Sequence, residues 1–94
     1  MQKYELTIVF DAKISAAKRK AVREAIEKAV GLLKGKIGAV ADWGEKDLAG
    51  KIKKATRGYY IYFPLELSSD SAKKLLEKMK SEDAIIRYLL VREK

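Results

Sequence analysis

Hydrophobic and polar residues alternate from Lys3 to Phe10, "KYELTIVF": Tyr4, Leu6, Ile8 and Phe10 share one face, and Glu5, Thr7 and Val9 the other. A period of two predicts a strand with one strongly buried face. The polar stretch "DAKIS" follows, with Ser15 placed to cap a helix. From Ala16 to about Leu33 the period lengthens, and Val22, Ala25, Ile26, Ala29, Val30 and Leu33 recur at helical spacing. "KGK", with Gly35, predicts the stop.

"IGAVADW" predicts a second, poorer strand holding Ile37, Val40 and Trp43. Gly44 to Gly58, "GEKDLAGKIKKATRG", is charged and punctuated by glycine, and reads as a long hairpin connection with partial strand character. Alternation returns in Tyr59 to Leu67, with Tyr59, Ile61, Phe63, Leu65 and Leu67 on one face and Tyr60, Tyr62, Pro64 and Glu66 on the other. Pro64 has no N–H for a ladder, so a bulge or break is expected there. "SSDSAKKLLEKMKSED" predicts a second helix, capped near Ser69, with Asp70 in its first turn and Ala72, Leu75, Leu76 and Met79 inward. "AIIRYLLVR", Ala84 to Arg92, is the fourth strand.

The order βαββαβ is that of an α+β, ferredoxin-like split βαβ sandwich. It predicts a single domain over 1–94, with two helices on one face of a four-stranded antiparallel sheet and the other face open.

Composition narrows the function. The chain carries 21 Lys+Arg against 13 Asp+Glu, a formal +8, which is the footprint of a polyanion partner, nucleic acid before membrane. Neither cysteine nor histidine occurs, which removes disulfides, thiolate metal sites and the usual general base. No apolar run approaches the roughly 18 residues of a membrane span. "MQKYELTIVF" lacks a small-residue cleavage site, so a cytoplasmic protein without a signal peptide is expected.

The remaining carboxylates offer little chemistry. Glu24, Glu27, Glu77, Glu82 and Asp83 stand among lysines, and Asp42, Glu45 and Asp47 make a poor cage for a hard cation. An acylphosphatase would need a glycine-rich, arginine-bearing loop at "DAKIS", where none exists. "GKIG" follows a helix and precedes a strand, unlike the clamp of a KH domain, which joins two helices. No enzyme activity, cofactor, metal or small-molecule substrate is expected.

The RNA-recognition motif is the closest rival, because it uses the same fold. Its third-strand signature, K/R-G-F/Y-G/A-F-V-x-F/Y, meets "RGYYIYFP" at Arg57, Gly58 and Tyr59 and then departs at Tyr60, Ile61 and Pro64. Alternation sends Tyr59, Ile61 and Phe63 toward the helices, so the stacking positions of that motif are inward in this chain.

Four blocks, in order and on the expected elements, carry a resemblance: "YE" at Tyr4–Glu5, "DWG…LA…IKK" from Asp42 to Lys54, "GYYIYFPLEL" and "EDAIIRYLLVR". Together they resemble the family of the sixth protein of the bacterial small ribosomal subunit, over essentially the whole chain. That resemblance implies the ferredoxin-like fold and a structural role without catalysis or cofactor. It also implies binding to the central domain of small-subunit ribosomal RNA, together with the eighteenth small-subunit protein. The family commonly reads "LAYPI" where this chain has "LAGKI", Leu48 to Ile52, which makes the connection more basic. A single-strand RNA-binding module and a redesigned ferredoxin-like chain without RNA function are the alternatives.

Under this resemblance, phosphate neutralisation counts for more than base reading. Candidate RNA contacts are Lys3, Arg87, Arg92 and Lys94 near the first and fourth strands, and Lys51, Lys53, Lys54 and Arg57 in the connection. Candidate protein-partner contacts are Trp43, Leu48, Ala49 and Ile52 in and beside the connection, with Tyr60 and Tyr62 on the open face. Lys18, Arg19, Lys20 and Arg23 on the first helix read as a solvated face that RNA could use.

Overall fold

The structure, a computed structural model, describes residues 1–52 and 55–93, with the backbone alone at 49–52 and 55. Its elements are β1 (Gln2–Asp11), α1 (Ala16–Leu32), β2 (Lys36–Ile37), β3 (Ala41–Ile52), β4 (Ala55–Leu67), α2 (Ser69–Lys80) and β5 (Ile85–Arg92). The strands run in the order β2-β4-β1-β5, with β3 also paired to β4, and every pairing is antiparallel. β2 takes Glu66 and Leu65 of β4, while β3 takes residues from Tyr62 back to Ala55. The two therefore lie end to end in one lane, and five strands fill the four lanes of the ferredoxin-like sheet, with β1 and β4 central.

Pro64 accounts for the divided lane. Its carbonyl accepts from Gly38 N at 2.8 Å, on the β2 side. The N and O of one residue in an extended strand point the same way, so the missing N–H faces that side too. The lane gives out at Gly38–Val40, while the β1–β4 ladder passes through Glu5↔Pro64 without a register shift. The break thus falls in the neighbouring lane rather than in β4 itself, and the expected single strand over 37–43 becomes two pieces.

The charged stretch 44–58 is also more regular than expected. β3 and β4 form a continuous ribbon, from Ala41↔Tyr62 to Ile52↔Ala55, with register shifts at Asp42/Gly44 and Asp47/Ile52.

Both helices begin on serine. Ser15 Oγ accepts from Lys18 N at 3.1 Å, and Ser68 Oγ, one residue before the expected cap, accepts from Ser71 N at 3.1 Å. α1 closes with Gly35 N donating to Val30 O at 2.8 Å and Lys34 N to Gly31 O at 3.0 Å, the paired bonds of a Schellman motif. Lys34, not Gly35, takes the left-handed conformation, at φ 61°. Gly35 is required for space instead: a Cβ would overlap Leu67 Cδ2 and stand 2.7 Å from the Glu66 carbonyl oxygen.

Val22, Ile26, Ala29 and Val30 of α1 and Ala72, Leu75 and Met79 of α2 are buried against one sheet face. Ala25, expected in the inner stripe, is exposed. Leu6, Ile8, Phe10, Phe63 and Leu67 meet these helices at 0% exposure, so the alternation of β1 and β4 holds.

Candidate interaction surface

The sheet face away from the helices is set by register. Thr7 and Val9 of β1 stand between Tyr62 and Tyr60 of β4 on one side and Leu89 and Arg87 of β5 on the other. Tyr60, Tyr62 and Pro64 are half-buried there, while Tyr59, Ile61 and Phe63 turn toward the helices. The positions that an RNA-recognition motif offers to bases are therefore inward, as the alternation implies. Leu89 and Val91 are exposed.

Trp43 reaches this face through a local irregularity. Between Asp42 and Gly44 the β3 register slips against Tyr60 and Ile61, and Gly44 adopts φ 76°, which a glycine takes without strain. Asp42 pins the bulge from both oxygens: Oδ1 accepts from Gly44 N at 3.0 Å and Oδ2 from the Tyr59 hydroxyl at 2.7 Å. The Trp43 ring then stacks on Tyr62, with centroids 5.2 Å apart and planes at 7°, yet remains 47% exposed. Lys46 Nζ stands 5.5 Å from the Trp43 ring centroid and 5.6 Å from that of Tyr60. The Tyr62 pKa is raised, first by desolvation and then by the Glu5 carboxylate.

Asp42 also anchors the ribbon toward α1. The hydrogen bond to Asp42, followed by desolvation, raises the pKa of Tyr59. Arg19 opposes that shift from 3.9 Å above the Tyr59 ring and donates to Ile14 O at 3.2 Å. A groove of about 470 Å³ runs here between α1 and the ribbon, walled by Arg19, Lys20, Arg23, Glu27, Asp42 and Tyr59.

The expected partner residues divide. Trp43, Tyr60 and Tyr62 form one surface. Leu48 is half-buried, and its Cδ2 lies 3.0 Å from where a Cβ on Gly58 would stand, so part of its apolar surface is spent within the chain. Ala49 and Ile52 belong to β3 by backbone, and their side chains lie outside the described residues, as does that of Lys51.

The expected RNA residues are not gathered together. Arg87 stands opposite Val9 on the open face, and Arg92 opposite Tyr4 on the helix side, because an odd spacing in a strand reverses the face. Lys3 is on the open face opposite Glu66, six residues along β1 from Val9, or about 20 Å. Arg57 is held between Glu45 at 3.4 Å and Asp47 at 3.1 Å, so its charge is offset. Lys53, Lys54 and Lys94 lie outside the described residues.

Sequence reasoning missed Lys46, Leu89, Val91 and the strut formed by Asp42. The alternation of Arg87, Leu89 and Val91 carries the signal for the β5 pair; Lys46 and Asp42 need the ribbon register, which is not legible in the sequence. Asp42, Glu45 and Asp47 are each engaged, and among the described residues no group of three or more acids is placed to hold a metal. No described helix is long and apolar enough to cross a membrane.

The family model for ribosomal protein S6 matches residues 3–92. The small ribosomal subunit protein bS6 of Alkaliphilus metalliredigens is 32% identical over 94 residues, spanning 98% of this chain and 97% of that protein. Its counterpart in Caldanaerobacter subterraneus is 28% identical over 92 residues, with the same coverage of 98% and 97%. Among solved structures, the crystal structure of 30S ribosomal protein S6 from Thermotoga maritima matches with a TM-score of 0.92 at 24% identity, covering 98% of this chain and 87% of that one. The solution structure of the C-terminal domain of the MgtC protein from Mycobacterium tuberculosis gives 0.66 at 9% identity, covering 99% and 88%. At these identities the two structures establish the fold alone. The family match extends from the first strand to the last and is joined by a relative 32% identical over nearly its full length, so the chain belongs to the ribosomal protein S6 family, a structural, non-enzymatic family of the small ribosomal subunit.

Proposed function

We propose that this chain is a structural component of the small ribosomal subunit that binds the central domain of small-subunit rRNA jointly with the eighteenth small-subunit protein. The observation that carries the reading is the open sheet face, where Trp43 stacked on Tyr62 stands with Tyr60, Leu89 and Val91 and no described helix covers them. Exposed aromatic and aliphatic groups on one face of a small domain favour a protein partner. The +8 charge supports the RNA half of the assignment, through phosphate contacts that position without reading sequence.

Lys3 and Arg87 supply phosphate contacts at the two ends of the open face and Arg92 on the helix side, and Lys51, Lys53, Lys54 and Lys94 are further phosphate contacts in this reading. Arg57 contributes less, since two carboxylates already hold it. Ala49, Ile52 and what is left exposed of Leu48 extend the partner contact. The protein works in the cytoplasm on the ribosome and needs no cofactor.

The test is a footprint of central-domain rRNA with and without the eighteenth protein, with pulldown of each component. Joint retention is expected, with protection strengthened when both proteins are present. If neither component is retained at moderate salt, the assignment falls. If Tyr60→Ala and Tyr62→Ala abolish binding to short oligonucleotides while leaving the partner bound, the face reads single-stranded RNA instead.

A further inference from the structure

Tyr4 and Glu5 take opposite faces of β1, and the core accounts only for Tyr4. Glu5 points to the open face, opposite Pro64 of β4 and Val91 of β5. Its diagonal neighbours there are Tyr62 and Leu89, which flank Thr7 one step along. Pro64 and Tyr62 are half-buried, and Leu89 and Val91 are 59% and 45% exposed. A carboxylate thus stands among aromatic and aliphatic groups.

That charge is not spent inside the chain. Glu5 is exposed and belongs to none of the ion pairs among the described residues, which join Lys18 to Glu82, Arg23 to Glu27, and Arg57 to Glu45 and Asp47. Lys3 stands on the same face one step further along β1, but between Glu66 and Glu93, so carboxylates outnumber the cation at this end. Desolvation, then Glu5 and Glu93, raise the Tyr62 pKa, so both carboxylates act within reach of the ring on which Trp43 stacks.

In the free protein Glu5 is solvated by water. A partner that touches Tyr62 on β4 and Val91 on β5 spans about 10 Å of sheet and passes over β1 between them, where Glu5 stands. The water is then expelled, and a carboxylate so covered is tolerated only with a counter-charge and hydrogen-bond donors.

We infer that Glu5 is a specificity residue of the open face, which accepts a cationic side chain, an arginine or a lysine, from the protein partner. The inference rests on the protein-partner reading and deepens it, by naming the chemistry that the partner brings to the middle of the contact. Charge complementarity selects the occupant. A purely apolar segment would bury Glu5 unpaired and be rejected, whereas one carrying a guanidinium or ammonium gains a charge-assisted hydrogen bond there. Trp43 and Tyr62 then supply affinity, and Glu5 supplies selection.

The test measures by calorimetry, without RNA, the affinity of the eighteenth protein for the parent chain, Glu5→Gln and Glu5→Leu. Glu77→Gln, at an exposed carboxylate on α2, is the charge-matched control. Each Glu5 variant is expected to bind more than tenfold more weakly, because the partner's cation is left buried and unpaired. Its Tm should stay within about 4 °C of the parent, since an exposed side chain without an ion pair contributes little to the fold. The control should change by less than about threefold, the part owed to net charge alone. Leucine decides the sign: if no cation meets Glu5, it only adds apolar surface to the contact and binding tightens. A loss of tenfold or less in either variant, or any gain with leucine, overturns the inference and leaves the partner reading standing. A parent chain that does not bind the eighteenth protein overturns both.

Discussion

Two glycines four residues apart at the end of α1 should respond to alanine with opposite signs. At Gly35 a Cβ would overlap Leu67 Cδ2, stand 2.9 Å from Val30 Cγ1 and stand 2.7 Å from the Glu66 carbonyl oxygen. Leu67 is 0% exposed and Val30 1%, so neither has space to retreat into. The Glu66 carbonyl is main chain, beside the β2 pairing of Lys36 with Glu66, and cannot yield without moving a strand. Overpacking of this kind costs about 1–3 kcal/mol, and the fixed carbonyl puts Gly35→Ala near 3 kcal/mol. Gly31, in the last turn of α1, has nothing within 4 Å of the same added atom. There alanine only restricts the unfolded chain and improves helix propensity, a gain of about 0.5–1 kcal/mol. Urea unfolding followed by far-UV circular dichroism should separate the two variants by about 4 kcal/mol at a common m-value. In Tm, Gly35→Ala should fall by roughly 10–20 °C and Gly31→Ala rise by about 4 °C. A Gly35→Ala protein within about 0.5 kcal/mol of the parent would refute the steric argument, since no relaxation consistent with the packing releases all three contacts.

Three further outcomes are expected. Asp42→Ala removes the bonds to Gly44 N and the Tyr59 hydroxyl, so the bulge loosens and the emission of Trp43 should change, at a stability cost of about 1–2 kcal/mol; unchanged emission would mean that Asp42 does not hold the ring. Tyr59 should titrate above its ordinary value of 10.0, followed by tyrosinate absorbance, and Asp42→Asn should bring it down. Because the folded pKa is the higher one, the stabilisation is complete below pH 10 and is lost as pH rises through the folded value; a Tyr59 that titrates at or below 10.0 contradicts this. Trp43→Ala should weaken binding to the eighteenth protein at least tenfold by calorimetry while changing stability by no more than about 1.5 kcal/mol, and an unchanged affinity would remove Trp43 from the partner surface.

The parts of the fold that alternate were legible in the sequence, because burial on one face imposes a period. Tyr4, Leu6, Ile8 and Phe10, and then Ile61, Phe63, Leu65 and Leu67, are inward as read. The ribbon was not legible for the complementary reason. Glu45, Lys46 and Asp47 are all exposed, so no hydrophobic period marks the strand, and its pairing with β4 is set by the main chain. Pro64 announced an interruption but not its location, since only the sheet order says which neighbour lacks the donor. The partner surface was half legible: Tyr60 and Tyr62 followed from alternation, whereas the Trp43–Tyr62 stack depends on the slip at Gly44. The scatter of Lys3, Arg87 and Arg92 was available from parity along β5 and from the length of β1.

The divided lane also bears on solubility. A continuous outer strand offers a row of free N–H and C=O groups on which another chain can polymerise. Here the outer lane beside β4 is interrupted at Gly38–Val40, so β2, two residues long, and β3, Ala41–Ile52, do not join into one template along the whole lane. Restoring a donor with Pro64→Val would let β2 and β3 merge into one long edge. The proline that weakens one ladder bond therefore also keeps the two pieces of this edge apart and shortens the template that either offers.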